Sequence, residues 1–239
     1  LSLEATYSKV LNGLLFQSIN RKDSVNNFEG ADNRPYFLAT GQNIKINENF
    51  TNVFLLSNTN KGYRYSLTAN VTKSTLRYDG HLAYTYGVSK DINSTVRNSH
   101  AANYEWNQAV VANDPELSFS NFDLRHKIVS YHFYKIPLKK STLRAGFFLN
   151  SRSGSPFTFV IAGDVNRDGS SRNDLIYIPK QQSDINLVTI LDENKNVLVS
   201  VERQWAQLET YIENNAYLRK NKGSYAERNG ARTPWNHIV

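Results

Sequence analysis

Residues 142–152 alternate between apolar and polar side chains, and this alternation constrains the fold more than any other feature of the sequence. The apolar members are Leu143, Ala145, Phe147 and Leu149. The polar members are Thr142, Arg144, Asn150 and Arg152. A period of two predicts a β-strand whose two faces meet different surroundings. The apolar face must therefore contact either a protein core or lipid.

The same alternation recurs along the chain and predicts further strands. Residues 1–10, 50–73, 81–90 and 122–136 carry it, and a last strand is expected near the C-terminal end. The connections between these segments differ sharply in length. Those at 74–80 and 137–141 are short turns, whereas three long loops are predicted at about 17–48, 91–121 and 153–230.

Short turns that alternate with long loops are typical of an outer-membrane barrel, with its periplasmic turns and extracellular loops. The three long loops share one end of the sheet only if 50–73 crosses once, so we predict one long bulged strand there rather than a hairpin at SNTNKG. A soluble sandwich would explain the alternation equally well, but connections in compact domains are usually short. The predicted fold is therefore all-β, with antiparallel up-and-down strands forming part of a transmembrane β-barrel.

Within the third long loop, the sequence predicts a hairpin over 185–202 and one short helix over 205–218. Trp205, Leu208, Tyr211 and Ile212 recur at helical spacing. The sequence contains no Met, and its last residue, Val239, follows the apolar Ile238. We expect a fragment of a single barrel domain, with the remaining strands absent.

Composition narrows the class of partner. The net charge is +7 and there is no Cys. The basic residues are scattered rather than clustered in an arm, so we expect no nucleic-acid partner. No segment reaches the about 18 consecutive apolar residues of a membrane helix.

Several blocks together resemble a known family. In order they are YTYGVSKD, SNFDLRHKIV, RSGSPFTFV, GDVNRDGSSRNDLIYIP and YAERNGARTPW. Their order and spacing resemble the C-terminal half of TonB-dependent outer-membrane receptors, especially the Oar-like group common in Bacteroidetes and myxobacteria. The resemblance covers most of the chain.

The resemblance implies a 22-stranded barrel in the bacterial outer membrane, an N-terminal plug, and a segment that engages TonB. It also implies uptake of scarce ligands such as iron chelates, cobalamin, glycans or peptides. The expected partners are outer-membrane lipid, TonB through the missing N-terminal part, and an unknown small-molecule, glycan or peptide ligand. No ligand-binding residue carries over from the family.

The loop GDVNRDGSSRND is the sharpest local signal. Asp164, Asn166 and Asp168 are spaced like the first ligands of a calcium loop, and Asp174 adds a carboxylate. Leu175 stands where an EF-hand has its bidentate Glu, so the register departs from that motif. These four residues are a candidate Ca²⁺ site, and the alternative is an Asx-turn loop whose carboxylates bind their own backbone.

Other chemistry finds little support. The histidines lack metal-binding spacing, and there is no nucleophile elbow or P-loop. We therefore expect no enzyme and no cofactor besides the candidate Ca²⁺. The predicted function is a segment of an outer-membrane TonB-dependent receptor or transporter, for ligand uptake or surface recognition. The alternative is a secreted calcium-binding adhesion or carbohydrate-binding β-module.

Overall fold

The computed structural model describes residues 1–37 and 43–239. Its regular structure is mainly antiparallel β-sheet, which confirms the predicted all-β class. Residues 38–42, part of the predicted loop 17–48, lie outside the described residues.

The strands follow one another along the chain with three helices between them. In order they are β1 (Ser2–Lys9), β2 (Gly13–Ser18), β3 (Asn26–Asn27), β4 (Pro35–Tyr36), β5 (Phe54–Thr59), β6 (Tyr63–Ser74), β7 (Tyr78–Asp91), β8 (Ser118–Phe119), β9 (His126–Pro137), β10 (Thr142–Arg152), β11 (Pro156–Phe157), β12 (Tyr177–Ile178), β13 (Ile190–Leu191), β14 (Val197–Val199), β15 (Ser224–Tyr225), β16 (Ala231–Arg232) and β17 (Asn236–Ile238). The helices are α1 (His100–Glu105), α2 (Val201–Asn214) and α3 (Ala216–Lys220), with a 3₁₀ turn at Gln182–Asp184.

One large sheet organises the molecule. Its strand order is β1-β6-β7-β9-β10-β17, with β8 paired to β7, and the sheet is open at β1 and β17. Every pairing is antiparallel between strands that follow one another along this path. Short turns join β6 to β7 and β9 to β10, whereas long connections join the other pairs. The predicted alternation of turns and loops is therefore confirmed.

Residues 50–73 do not form a hairpin. Strand β5 pairs with β2 and strand β6 pairs with β1. Because β1 and β2 follow one another along residues 2–18, both halves of the segment run antiparallel to the same stretch of chain. The hydrogen bond from Val10 N to Gly62 O, at 3.1 Å, continues the pairing between the two ladders. The prediction of one interrupted strand rather than a hairpin at SNTNKG is confirmed, and Gly62 accommodates the irregularity with φ of 131°.

The long strands carry no second layer within the described residues. Leu67 is 54 % exposed, Leu82 46 % and Phe147 47 %, although all three belong to central strands of the sheet. An apolar side chain in a central strand normally packs against another layer. The apolar rows of this sheet are therefore not the protein's hydrophobic core.

The core lies instead within the long connections. One cluster consists of Ile178, Ile212, Leu218 and Ala226, with partly buried apolar neighbours that include Phe159 and Leu208. A second consists of Phe16, Tyr104 and Ala112 with Phe54 beside them. The first cluster lies entirely within the third connection, whereas the second joins β2 and β5 to the second connection. The long connections are thus packed structures.

The expectation of one short helix over 205–218 is wrong in detail. Helix α2 begins four residues earlier, where the Ser200 hydroxyl accepts a hydrogen bond from Arg203 N at 3.3 Å. Asn215 then separates α2 from α3, because its side chain accepts hydrogen bonds from the N–H groups of Tyr217 and Leu218. Helix α1 was not predicted at all. The helices in the described ranges are all too short or too polar to cross a membrane.

The hairpin predicted over 185–202 is present in a shorter form, as β13 and β14. The strand predicted from residue 122 begins only at His126. Asp123 lies outside the ladder, and its carboxylate accepts a hydrogen bond from Ser89 N at 2.5 Å. Residues 122–125 therefore form an approach to the strand and not part of its ladder.

Candidate functional site: the junction of the three long loops

The Asp-rich loop folds around its own side chains. Asp164 accepts hydrogen bonds from Asp168 N at 2.8 Å and from Gly169 N at 2.9 Å, one on each carboxylate oxygen. Asn166 accepts a further hydrogen bond from Asp168 N at 3.1 Å. Gly169 has φ of 89°, a left-handed conformation that glycine adopts without strain. The spacing of short polar side chains in D-x-N-x-D-G thus produces a succession of Asx turns.

Asp168 lies where the three long connections meet. Its carboxylate is 2.7 Å from Nη2 of Arg21, which belongs to the first connection. The same arginine donates through Nη1 to the hydroxyl of Tyr104 in the second connection, at 2.5 Å. Asn173 also donates to Asp168, at 2.8 Å. A single guanidinium therefore links all three connections.

A second arginine of the first connection binds the far end of the Asp-rich loop. Nη1 of Arg34 is 3.3 Å from Oδ1 of Asp174, and Nη2 donates to the carbonyl of Leu175 at 2.9 Å. Arg34 is 1 % exposed, and the side chain of Asp174 is fully buried. Asp32 completes the group by accepting from Nε of Arg34 at 2.9 Å.

Main-chain contacts fix the same arrangement. Phe37 N donates to the carbonyl of Asn166 at 2.9 Å, and Ala109 N donates to that of Asn173 at 3.1 Å. The hydroxyl of Ser170 donates to the carbonyl of Glu105 at 3.0 Å. We call the set Arg21, Arg34, Asp168 and Asp174 the loop junction.

Burial makes two carboxyl groups of this region, those of Asp164 and Asp174, weaker acids. The pKa of Asp174 is raised first by desolvation and then by the negative charge of Asp168, against the opposing effects of the Val165 N–H and Arg34. The pKa of Asp164 is raised for the same first reason, burial. The paired arginines therefore offset only part of what it costs to bury these charges.

This burial predicts a measurable pH dependence. A carboxyl whose pKa is raised in the folded state binds its proton more tightly there than in the unfolded chain. The contribution of Asp174 to stability is therefore greatest below its ordinary pKa of 3.8 and is lost as the pH rises through its raised folded value. The variant Asp174→Asn lacks this titration. We expect its free energy of unfolding, relative to wild type, to rise with pH from about pH 4 until it levels off.

Urea titrations of both proteins at a series of pH values from 4 to 8 measure this difference. Asp192→Asn is the matched control, because Asp192 is only half-buried and its pKa is lowered by hydrogen bonds from Asn196. The relative stability of the control should be nearly flat over this range, because the lowered pKa of Asp192 places its titration below about pH 4. A flat or falling profile for Asp174→Asn would contradict the predicted role of burial.

The structure brings the four residues of the candidate Ca²⁺ site into one loop. Asp164, Asp168 and Asp174 are close enough to influence one another's charge, and Asn166 is fully buried. Their carboxylates already accept hydrogen bonds from backbone N–H groups, and two of them also face arginines. Across residues 1–37 and 43–239, no group of three or more His, Cys, Asp or Glu side chains is arranged to hold a metal ion. Calcium binding stays a prediction.

Arg21 and Arg34 are the functional residues that sequence reasoning missed. Their partners are 147 and 140 positions away along the chain. No local pattern marks an arginine for a carboxylate so distant in sequence. Asn173, also fully buried, was missed because an isolated Asn in a polar loop resembles any other turn residue.

Aromatic residues of the loops mostly pack within the protein. The indole of Trp106 lies between two guanidinium groups, with Arg97 at 4.3 Å and Arg172 at 4.1 Å from the ring centroid. Tyr225 donates its hydroxyl to Asp32 at 2.9 Å. These contacts join loop to loop, so their rings support the site and do not by themselves define a ligand.

No protein-family model matches this chain, and neither does any curated protein or solved structure.

Proposed function

We propose that the chain forms part of the wall and the extracellular loops of a TonB-dependent receptor or transporter in the bacterial outer membrane. The observation that carries the proposal is the set of long strands whose apolar side chains are exposed. Strands β6, β7, β9 and β10 have 12, 14, 12 and 11 residues. A strand in a soluble protein most often has about 5–6 residues, whereas a tilted membrane-spanning strand needs about 9–11.

The strand register sorts the side chains of the sheet into two faces. Directly paired residues share a face, so the pairings Val71↔Leu82, Leu82↔Ser130 and Ser130↔Leu149 extend one row across four strands. The apolar face contains Leu3, Ala5, Leu67, Ala69, Val71, Leu82, Tyr84, Ile128, Tyr134, Ile136, Leu143, Ala145, Phe147 and Leu149. The opposite face is mainly polar and contains Glu4, Thr6, Ser66, Thr68, Asn70, Thr72, His81, Thr85, Lys127, Lys135, Arg144, Asn150 and Arg152, interspersed with Val129, Tyr131, Phe133 and Phe148. One face suits acyl chains and the other suits a hydrated lumen.

Aromatic side chains concentrate at the loop end of the apolar face. The ring of His126 stacks on Trp235 with centroids 5.8 Å apart, and it also contacts Tyr86 at 5.4 Å. Tyr65 lies 6.3 Å from Tyr86. At the turn end, Tyr78 pairs directly with Tyr134. Amphipathic rings at both ends of an apolar band are typical of the two membrane–water interfaces.

Two histidines of the apolar face are hydrogen-bonded to tyrosines of the sheet. Tyr84 hydrogen-bonds Nδ1 of His126 at 2.8 Å, and Tyr78 hydrogen-bonds Nδ1 of His132 at 2.6 Å. Each bond gives one ring nitrogen a partner, which lowers the cost of placing a histidine on this face.

The ligand-recognition part of the proposal belongs to the long connections. They gather at one end of the sheet and pack through the loop junction, so they present a preorganised outer surface. Energy coupling through TonB, and a plug, enter the proposal from the family resemblance. Under this proposal the protein binds or imports a ligand and is not an enzyme.

Single spin labels on adjacent residues of β7 test membrane contact. The sequence has no cysteine, so Leu82→Cys and Ala83→Cys each give one labelling site. In vesicles containing the full-length protein, with any cysteine outside these 239 residues replaced by serine, the nitroxide at 82 should collide mainly with lipid-soluble oxygen. The nitroxide at 83, on the other face, should collide mainly with a water-soluble nickel chelate. Equal access of the chelate to both positions would overturn the proposal and favour a secreted β-module.

A further inference from the structure

A groove of about 660 Å³ lies between the β3–β4 region and the third long connection. Its volume is within the roughly 300–1,000 Å³ of typical ligand sites. Most of its wall is apolar and is formed by Ile161, Val165, Ile176, Pro179, Leu187 and Leu208. Because Val165 belongs to the Asp-rich loop and Asp32 to the first connection, the loop junction holds the two sides of the groove together.

Three acidic side chains line the groove: Glu29, Asp32 and Asp184. The described lining contains no Lys, Arg or His. This is notable in a chain with a net charge of +7. Asp32 is partnered by Arg34 and Tyr225, and Asp184 accepts from Lys180 N at 2.8 Å. Within the described part of the chain, the exposed carboxylate of Glu29 has no ion-pair partner.

The local field in the groove is negative. The pKa of Tyr177, which lines the groove, is raised first by burial and then by the charges of Asp184 and Asp32. Arg34 does not neutralise the region, since it is shared between Asp32 and Asp174. A cation that enters the groove therefore meets attraction from its rim and apolar contact from its wall.

We propose that this groove binds a ligand whose apolar body carries one protonated amine or guanidinium group. An apolar peptide segment with a Lys or Arg side chain has this chemistry, and so does a free alkylamine. Glu29 provides the unpaired negative charge, and the aliphatic wall accepts the body of the ligand. The groove is built entirely from the connections, so the inference holds whether or not the sheet enters a membrane.

Three acetylated tripeptide amides test the proposal by calorimetry with the full chain: Leu-Leu-Lys, Leu-Leu-norleucine and Leu-Leu-Glu. We expect the Lys peptide to bind about 5-fold more tightly than the norleucine peptide, as for an ion pair near the surface. The Glu peptide should bind least tightly. The advantage of Lys should shrink as salt is raised, because salt screens exposed charges. Equal binding of all three peptides would overturn the assignment of a cationic group.

Glu29→Gln should abolish the preference for Lys while leaving the norleucine peptide unaffected. Glu4→Gln is the matched control, since it removes the same charge from the polar face of β1 and should change nothing. Hexylamine forms the second arm: displacement of the Lys peptide by hexylamine at similar concentration would identify a free amine as sufficient. Weaker displacement would identify the peptide as the source. A folded protein that binds neither probe at millimolar concentration would overturn the site.

Discussion

Arg34→Ala should destabilise the loop region by about 3–5 kcal/mol, the usual effect of removing one partner of a buried ion pair. The substitution leaves the fully buried carboxylate of Asp174 without its cation and the carbonyl of Leu175 without its donor. It also removes the arginine partner of Asp32, which keeps its hydrogen bond from Tyr225 of the third connection.

Hydrogen exchange measures this effect best, because it separates the loops from the strands. The backbone amides of residues 163–175 should lose protection in Arg34→Ala, while those of β9 and β10 should keep it. Arg152→Ala is the matched control, since the substitution removes the same charge from an exposed position on the sheet. Exchange rates in 163–175 that match those of the control would contradict a stabilising role for the buried pair.

Leu82→Arg should weaken assembly of the protein in lipid by about 2–4 kcal/mol, the effect of a cation on the lipid face near the bilayer midplane. Leu82 is the fifth of the 14 residues of β7 and pairs with Val71 and Ser130 on the apolar face. The guanidinium of the arginine introduced at position 82 would be placed among acyl chains that offer no hydrogen-bond acceptor. Ala83→Arg puts the same group on the polar face, where water can solvate it, and should cost far less.

Urea titration in lipid vesicles gives the free energies of unfolding of both variants and of wild type. The informative quantity is the difference between the two losses of unfolding free energy, since both variants introduce an arginine into adjacent positions of β7. Similar losses at 82 and 83 would show that both faces meet the same medium. That result would contradict the proposed membrane contact without bearing on the loop junction or the groove.

The strands and their turns were predictable because their signals are local. Side-chain alternation has a period of two and can be recognised within a single segment, as in 142–152. Even the interrupted pairing of 50–73 followed from counting which end of the sheet each loop occupies. Helix boundaries were less accessible, because Asn215 ends one helix and begins another with a single side chain.

The loop junction was beyond the reach of sequence reasoning for a different physical reason. The Asp-rich loop was recognised as a cluster of oxygen ligands, and its Asx turns were weighed as an alternative to calcium. What satisfies two of its carboxylates is a pair of arginines from a connection more than a hundred residues earlier. Such pairings depend on how distant segments pack together, and a single sequence has no local pattern that predicts this packing.

Arg21 bridges Tyr104 and Asp168, so a single side chain is shared by all three long connections. None of them can move away from the others without breaking a contact on which the other two rely. Separation of the three connections should consequently be all-or-none, so a labelled distance between any two of them would report on the third as well.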